Sequence, residues 1–291
     1  MVTSVAPVVE TIFDDSTSNA THVVSDPGSG RCAIIDCVLD FDPASGRIGT
    51  IAAERVMDHV RAEGLTAEWI IETHVHADHL TAAPYIREKL GGRIGIGAHV
   101  SDVQDYFGRV FNAGAGFATD GSQFDHLFED GATYRIGALE GRAMYTPGHT
   151  PACMTHLIGD ALFTGDTLFM PDSGTARCDF PGGSARQLYR SIRRILALAP
   201  ETRVFVNHDY GADGKRPVAW QTTVAEQRAR NIHVRDGIGE DEFVAMREKR
   251  DASLEMPRLI LPSIQINMRA GALPPAEENG IRYLKLPIDV F

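Results

Sequence analysis

The sequence predicts an α/β fold in which two mixed β-sheets pack between layers of helices. Two observations support this class. Strands followed by strand–helix units occur twice along the 291 residues, and no Pro-, Ser- or Gly-rich linker separates the two halves. Several apolar runs also end in polar side chains, as is typical of the ligand-binding edge of α/β sheets. We therefore expect a single domain that spans residues 1–291.

The first half predicts five strands and two helices before the chain becomes irregular. Ala52, Val56 and Val60 recur every four residues and stop at Gly64, which predicts an amphipathic helix with a glycine just beyond its end. A second helix is expected over 81–90, closed by the glycine that follows it. Strands are predicted at residues 8–13, 21–25, 31–37, 69–71 and 93–96.

The second half repeats this order of strands and helices. Strands are expected over 133–145 and 154–163, with Gly159 and Asp160 forming the turn of a hairpin. Ser184 begins a capping-box pattern and predicts the start of an amphipathic helix. A less regular helix is predicted at 217–231. Residues 102–131 are predicted to form a helix followed by a loop that shapes a pocket wall.

From about residue 240 onward, the sequence predicts an extension of helix and strand that belongs to the same domain. Two segments in this extension, 264–267 and 284–287, are rich in Ile, Leu and other strand-forming residues and are predicted as strands. We expect no separate C-terminal domain.

Composition and charge exclude several classes of protein. The net charge of −11 argues against a nucleic-acid partner, because phosphate binding needs a basic surface. No apolar run is long enough to cross a bilayer. The first cation is Arg31, which does not fit a secretory or mitochondrial leader, and the four cysteines show no CxxC spacing. We therefore expect a cytoplasmic protein without membrane or nucleic-acid partners.

The most informative segment is 74–79, which reads His-Val-His-Ala-Asp-His. It places four potential metal ligands on the loop after the apolar run 69–71. Imidazole and carboxylate groups at this density are costly outside a polar site, and a metal ion satisfies them together. The segment therefore predicts a metal site.

Three later segments supply further ligands, each just beyond a predicted strand. His149 follows the run that ends at Tyr145, Asp166 follows 161–163, and His208 follows 204–206. Taken together with the first segment, these positions give seven candidate metal ligands: His74, His76, Asp78, His79, His149, Asp166 and His208.

The order HxHxDH, TPGHT, TGD and NHD resembles the metallo-β-lactamase superfamily, whose fold is an αββα sandwich. Within it, the Arg-x-Asp-Phe core of 174–180 and the stretches 264–271 and 283–285 resemble the persulfide dioxygenase branch, which is related to glyoxalase II. The similarity runs from about residue 13 to residue 288. It implies an enzyme that oxidises glutathione persulfide with O2 to sulfite and glutathione.

The resemblance implies two different uses of the ligands. A persulfide dioxygenase would hold one Fe(II) per chain through His74, His149 and Asp166, a facial triad that leaves positions open for substrate and O2. The other four residues would then be hydrogen-bond partners or hosts of water. A binuclear hydrolase would use all seven, with Asp166 bridging two ions, often zinc. Because all seven are present, ligand identity alone leaves both alternatives open.

Cations and hydroxyls near the pocket are expected to bind the carboxylates of glutathione. Arg177, Tyr210 and Lys215 are candidates because they lie beside the motifs, although Arg177 also fits a structural ion pair with Asp179. No organic cofactor is expected. The sequence does not determine the oligomeric state, and a homodimer is one option.

The alternative function is a glyoxalase-II-like binuclear hydrolase of glutathione thioesters. It is disfavoured because the predicted strands at 264–267 and 284–287 replace the C-terminal helices that are usual in that branch. A lactonase, a β-lactamase and a non-catalytic metal-binding module are less favoured still.

Overall fold

A computed structural model describes residues 6–290, apart from the side chain of Asp213. These residues form fifteen strands. In chain order the strands are β1 (Val8–Asp14), β2 (Asn19–Ser25), β3 (Arg31–Ile35), β4 (Val38–Asp42), β5 (Arg47–Gly49), β6 (Thr66–Ile71), β7 (Leu80–Thr81), β8 (Arg93–Gly97), β9 (His126–Phe128), β10 (Thr133–Ile136), β11 (Leu139–Tyr145), β12 (Met154–Ile158), β13 (Ala161–Phe163), β14 (Arg203–Phe205) and β15 (Gln221–Thr223).

The same residues form eight α-helices and one 3-10 turn at Gly165–Thr167. None of the helices within 6–290 is long and apolar enough to cross a membrane. In chain order the helices are α1 (Ile51–Ala62), α2 (Ala83–Leu90), α3 (Val100–Val110), α4 (Ala185–Ile195), α5 (Gly211–Gly214), α6 (Val224–Arg230), α7 (Glu240–Asp251) and α8 (Ile260–Asn267).

The strands form two mixed six-stranded sheets and one small sheet. The first sheet has the order β1-β2-β3-β6-β8-β9, antiparallel up to β3 and parallel from β3 onward. The second has the order β10-β11-β12-β13-β14-β15, in which β13 and β14 are parallel and the other pairs antiparallel. The small sheet, β5-β4-β7, lies beside the first.

Alternation along the central strands produces four layers. Successive residues of a strand point to opposite faces, so each strand of the first sheet serves two cores. Ile35 and Ile71 pack between the two sheets with Phe163 and Phe205 of the second. On the other face of the first sheet, the residues adjacent to Ile35 and Ile71 in sequence pack against α1, α2, α3 and α8. The outer face of the second sheet packs against α4 and α7. The αββα sandwich is therefore confirmed.

Several local predictions are confirmed at residue level. Gly64 lies just beyond α1 with φ of 64°, a left-handed conformation that glycine adopts without strain. The side chain of Ser184 caps α4 by accepting a hydrogen bond from the amide of Gln187 at 3.3 Å. Gly159 and Asp160 form the two-residue turn between β12 and β13, where Ile158 pairs with Ala161.

Other boundaries differ from the prediction. The hairpin-like strands predicted over 133–145 are β10 and β11, and their turn, which the prediction did not place, lies between Ile136 and Leu139. The helix predicted over 217–231 begins only at Val224, since 221–223 pairs with β14 as an edge strand. The helix predicted over 81–90 begins at Ala83, because Thr81 pairs with Val38 in the small sheet.

The two strands predicted near the C-terminus were wrong. Residues 264–267 belong to helix α8, whose residues 263–267 are all buried. A short run that is buried on every side shows no period, so its composition does not distinguish strand from helix. The segment 284–287 forms no strand; instead, the Gln265 side chain hydrogen-bonds to the amide and carbonyl of Lys285.

Candidate metal centre

The seven candidate ligands meet at one edge of the sandwich, where strands of both sheets end. His74 to His79 follow β6 of the first sheet, whereas the remaining ligands follow β11, β13 and β14 of the second. The two sheets are joined at this edge by a hydrogen bond from the Ala20 amide to the Asn207 carbonyl at 2.7 Å. The structure therefore brings the four motifs to one edge.

His74, His149 and Asp166 form the first of two ligand groups, with one ligand atom of each lying within 4.8 Å of the others. Asp166 Oδ2 lies 3.8 Å from His74 Nε2 and 3.6 Å from His149 Nε2. The other ring nitrogen of each histidine is already bound: His74 Nδ1 to the Thr73 hydroxyl at 3.0 Å, and His149 Nδ1 to the Arg177 carbonyl at 2.7 Å. Both imidazoles therefore direct an Nε2 lone pair toward the carboxylate.

The second group consists of His76, Asp78 and His79, which also offer ligand atoms within 4.8 Å of one another. His208 joins it, because its Nε2 lies 3.3 Å from Asp78 Oδ2 and 3.5 Å from Asp166 Oδ1. Asp166 thus faces the first group with one oxygen and His208 with the other. This is the arrangement that a bridging carboxylate would need.

Burial and neighbouring charges together set the protonation of the site. Burial lowers the pKa of His74 well below its ordinary value, helped by the neighbouring imidazoles, and lowers the pKa of His79 to about 4. Burial also opposes the charged form of His76, but the carboxylates of Asp36 and Glu72 raise the pKa of His76 well above its ordinary value. Neutral imidazoles such as His74 and His79 are the form that binds metal ions.

The donor atoms fit a bound cation. Within the described residues, several fully buried ligand atoms have no hydrogen-bond partner, which is costly in a protein interior. A metal ion would satisfy them together, whereas no side chain nearby does. These atoms are His74 Nε2, His76 Nδ1, Asp78 Oδ2, His79 Nε2 and Asp166 Oδ1.

Asp36, which the sequence analysis missed, fixes the ligand loop. Its carboxylate accepts hydrogen bonds from the Thr73 amide and hydroxyl, each at 2.7 Å, from His76 Nε2 at 3.0 Å, and from the Asn207 amide group. Because the Thr73 hydroxyl donates to Asp36, it must accept from His74 Nδ1–H. The signal was present, since Asp36 follows an apolar strand just as the predicted ligands do.

Asn267, at the end of α8, holds the same loop from the other side. Its amide group donates to the carbonyls of His76 and His79 at 2.9 and 2.8 Å, and its oxygen accepts from the Thr81 amide at 2.9 Å. The helix that was predicted as a strand thus supplies a structural contact to the site. Gly148 is needed for a different reason: a side chain there would lie 2.3 Å from the Leu188 backbone of α4.

A cavity of about 640 Å³ opens onto the centre, with Asp78, His149, Asp166 and His208 in its wall. Three arginines that were not singled out from the sequence, Arg247, Arg250 and Arg258, line it from the C-terminal segment. Arg247 is paired with Asp251, whereas within 6–290 Arg250 and Arg258 have no carboxylate within 4 Å. Apolar surface comes from residues such as Phe169, Ile232, Leu254 and Pro257.

The three predicted substrate contacts differ in position. Arg177 and Tyr210 line this cavity, while Lys215 is exposed and is not part of the lining, so its role stays a prediction. Arg177 forms a bidentate ion pair with Asp179, with both contacts at 2.6 Å, and also donates a hydrogen bond to the Glu255 carbonyl. The Tyr210 ring stacks parallel to His208 at 6.3 Å.

Comparison with known proteins identifies the family. Residues 14–208 match the model of the metallo-beta-lactamase superfamily. The chain belongs to this superfamily, as its motifs indicated.

Individual relatives carry different names. A "probable metallo-hydrolase" of Burkholderia pseudomallei is 56% identical over 97% of this chain and 99% of that protein. Glyoxylase B2 of Dictyostelium discoideum is 44% identical over 97% of both. The persulfide dioxygenase ETHE1 of Bos taurus is 30% identical over 93% of this chain and 91% of that protein. The crystal structure of ETHE1 from Myxococcus xanthus superposes with a TM-score of 0.72 at 28% identity, covering 91% of this chain and all of that one.

Proposed function

We propose that this protein is an Fe(II)-dependent persulfide dioxygenase that oxidises glutathione persulfide. The observation that carries the proposal is the compact group of His74 Nε2, His149 Nε2 and Asp166 Oδ2, two imidazoles and one carboxylate beside an open cavity. This donor set suits a non-haem iron with free positions. Similarity to ETHE1 proteins over more than nine tenths of the chain supports it.

The reaction consumes one O2 and one water per persulfide and gives glutathione, sulfite and two protons. Iron in this triad would bring persulfide and O2 together and supply the electronic pathway between them. The chain's own contribution is to hold His74 and His149 in one tautomer through the Thr73 hydroxyl and the Arg177 carbonyl. In this proposal, His76, Asp78, His79 and His208 act as hydrogen-bond partners and hosts of water.

The charge of the cavity suits an anionic thiol carrier. Arg250 and Arg258 form no ion pair within 4 Å in the described part of the chain, although Arg258 lies close enough to Asp42 to lower the pKa of that carboxyl. Both guanidinium groups can therefore pair with substrate carboxylates. Arg177 is neutralised by Asp179, so we assign it a weaker direct role. Tyr210 would contact the bound substrate between the arginines and the metal. We propose small-molecule partners only, without a nucleic acid or a membrane.

The alternative is a binuclear hydrolase of glutathione thioesters, with zinc as one candidate metal. Two observations favour it: His208 Nε2 lies within 3.5 Å of both Asp78 and Asp166, and the relative named glyoxylase B2 is 44% identical. Residues 260–267 are helical rather than extended, so the C-terminal segment does not disfavour this alternative. The two functions must therefore be separated by experiment.

The first prediction compares two substrates on one enzyme preparation. Glutathione persulfide should drive oxygen uptake and release sulfite, whereas S-lactoylglutathione should be hydrolysed poorly or not at all. Both carry the same glutathione moiety, so the comparison separates the chemistry from recognition. An oxygen electrode and a thioester absorbance assay suffice. Fast thioester hydrolysis without oxygen uptake would refute the dioxygenase and support the hydrolase.

The second prediction concerns metal retention. Asp166→Ala should abolish metal binding, because it removes the only carboxylate of the proposed triad. His208→Ala should keep most of the iron and lower activity instead, since His208 contacts Asp166 only through the oxygen that faces away from the triad. Metal content of the two purified variants is measured by elemental analysis. Equal metal loss in both would favour the binuclear site.

The third prediction concerns the unpaired arginines. Arg250→Ala combined with Arg258→Ala should raise KM for glutathione persulfide by about 10-fold or more, because each lost charge contact is worth roughly 1 kcal/mol at a partly exposed site. The value of kcat should change little, since these contacts form equally in ground and transition states.

Arg109→Ala is the matched control, because Arg109 is an exposed arginine on α3 that does not line this cavity. It should leave both constants unchanged. The KM of the wild type should also rise with salt more steeply than that of the double variant. A KM unaffected by the double substitution would remove these arginines from the substrate site.

A further inference from the structure

Helix α7 contains a buried ion pair on its inner face. Arg247 and Asp251 are one helical turn apart, and the exposed fractions of the two residues are 1% and 6%. The guanidinium donates to Asp251 Oδ1 from Nε at 2.8 Å and contacts it from a terminal nitrogen at 2.6 Å. We call Arg247 and Asp251 the α7 anchor. The helix lies beyond residues 14–208, the part of the chain that the superfamily model matches.

The α7 anchor hydrogen-bonds to the backbone of the loop 174–179 at two positions. Arg247 donates a third hydrogen bond to the Thr175 carbonyl at 3.0 Å, and Asp251 Oδ2 accepts from the Cys178 amide at 2.8 Å. A donor and an acceptor of one ion pair thus fix the four residues 175–178 at both ends. The carbonyl of Arg177 belongs to the same peptide unit as the Cys178 amide, so it is fixed directly.

That carbonyl accepts the hydrogen bond from His149 Nδ1 at 2.7 Å, which leaves the Nε2 lone pair directed toward Asp166. We infer that the α7 anchor positions the Arg177 carbonyl and, through it, sets the tautomer and orientation of His149 as a metal ligand. Arg247 and Asp251 are positioning residues for the metal centre, although neither is one of the seven candidate ligands.

The energetics of burial support a positioning role over a purely stabilising one. Removing two charges from water costs several kcal/mol, and apolar side chains of similar volume often stabilise a core at least as well. The pair instead fixes the orientation of the 174–179 loop, because Arg247 Nη1 and Asp251 Oδ2 each bind one backbone group of that loop. Groups that hydrogen-bond to a ligand histidine typically change metal affinity by 10- to 100-fold when removed.

The inference rests on the proposal that His149 is a metal ligand, and the test separates the two. The main variant is Arg247→Met combined with Asp251→Leu, which removes both charges while keeping the volume. The matched control is Arg186→Met combined with Glu240→Leu, which removes a partly exposed ion pair (2.7 Å) between α4 and α7 without touching the loop. His149→Ala reports on the ligand itself, and Asp251→Asn is a milder variant that preserves shape.

Three properties are measured without substrate: the Kd of the metal-free protein for Co(II) by chelator competition, the Co(II) absorption spectrum, and the thermal midpoint of the metal-free protein. We expect the Arg247→Met/Asp251→Leu double variant, called the α7 variant below, to bind Co(II) about 10-fold more weakly with an altered spectrum. The control should match the wild type. Asp251→Asn should shift affinity in the same direction by less, and it replaces the double variant if that variant does not fold.

Each contrary outcome has a distinct meaning. A lower thermal midpoint with unchanged Kd and spectrum would make the α7 anchor purely structural and overturn the inference. An unchanged Kd in His149→Ala would overturn the proposed ligand set itself. Loss of Co(II) in His149→Ala but not in the α7 or Asp251→Asn variants would leave the ligand set intact and reject the anchor alone.

Discussion

The geometry of the centre depends on the hydrogen bonds that the buried carboxylate of Asp36 accepts. This carboxylate binds the backbone and hydroxyl of Thr73, the ring of His76 and the side chain of Asn207. One residue at the end of β3 therefore joins the ligand loop of the first sheet to the His208 loop of the second. An unpaired charge at this depth would cost several kcal/mol, so the carboxylate requires all of these partners at once. Through Thr73 the same contact orients His74.

Around this contact, the site has three kinds of support that differ in origin. Strand ends bring the candidate ligands together, the Thr73 hydroxyl and the Arg177 carbonyl fix the tautomers of His74 and His149, and helices from the C-terminal third hold the loops. Asn267 of α8 binds the ligand loop, and Arg247 of α7 binds the loop that orients His149. The superfamily motifs thus account for the ligands, whereas the C-terminal helices account for part of their geometry.

The sequence predicted the layers and the convergence of the seven candidate ligands because both follow from short-range patterns. Alternating apolar residues identify strands, and polar residues after them mark an edge. It failed at 264–267, where burial on every side removes the period that separates helix from strand. Asp36 was missed although it gives the same signal as Asp166. Arg250 and Arg258 gave none, because only tertiary structure brings residues so distant in sequence to the cavity.

Dioxygenase and hydrolase would use the same side chains, so the choice between them depends on how many ions the centre retains. Elemental analysis of protein purified without added metal tests this most directly. We predict one iron per chain, held by His74, His149 and Asp166. Two fully occupied zinc sites per chain, bridged by Asp166, would contradict it and identify the centre as that of a binuclear hydrolase.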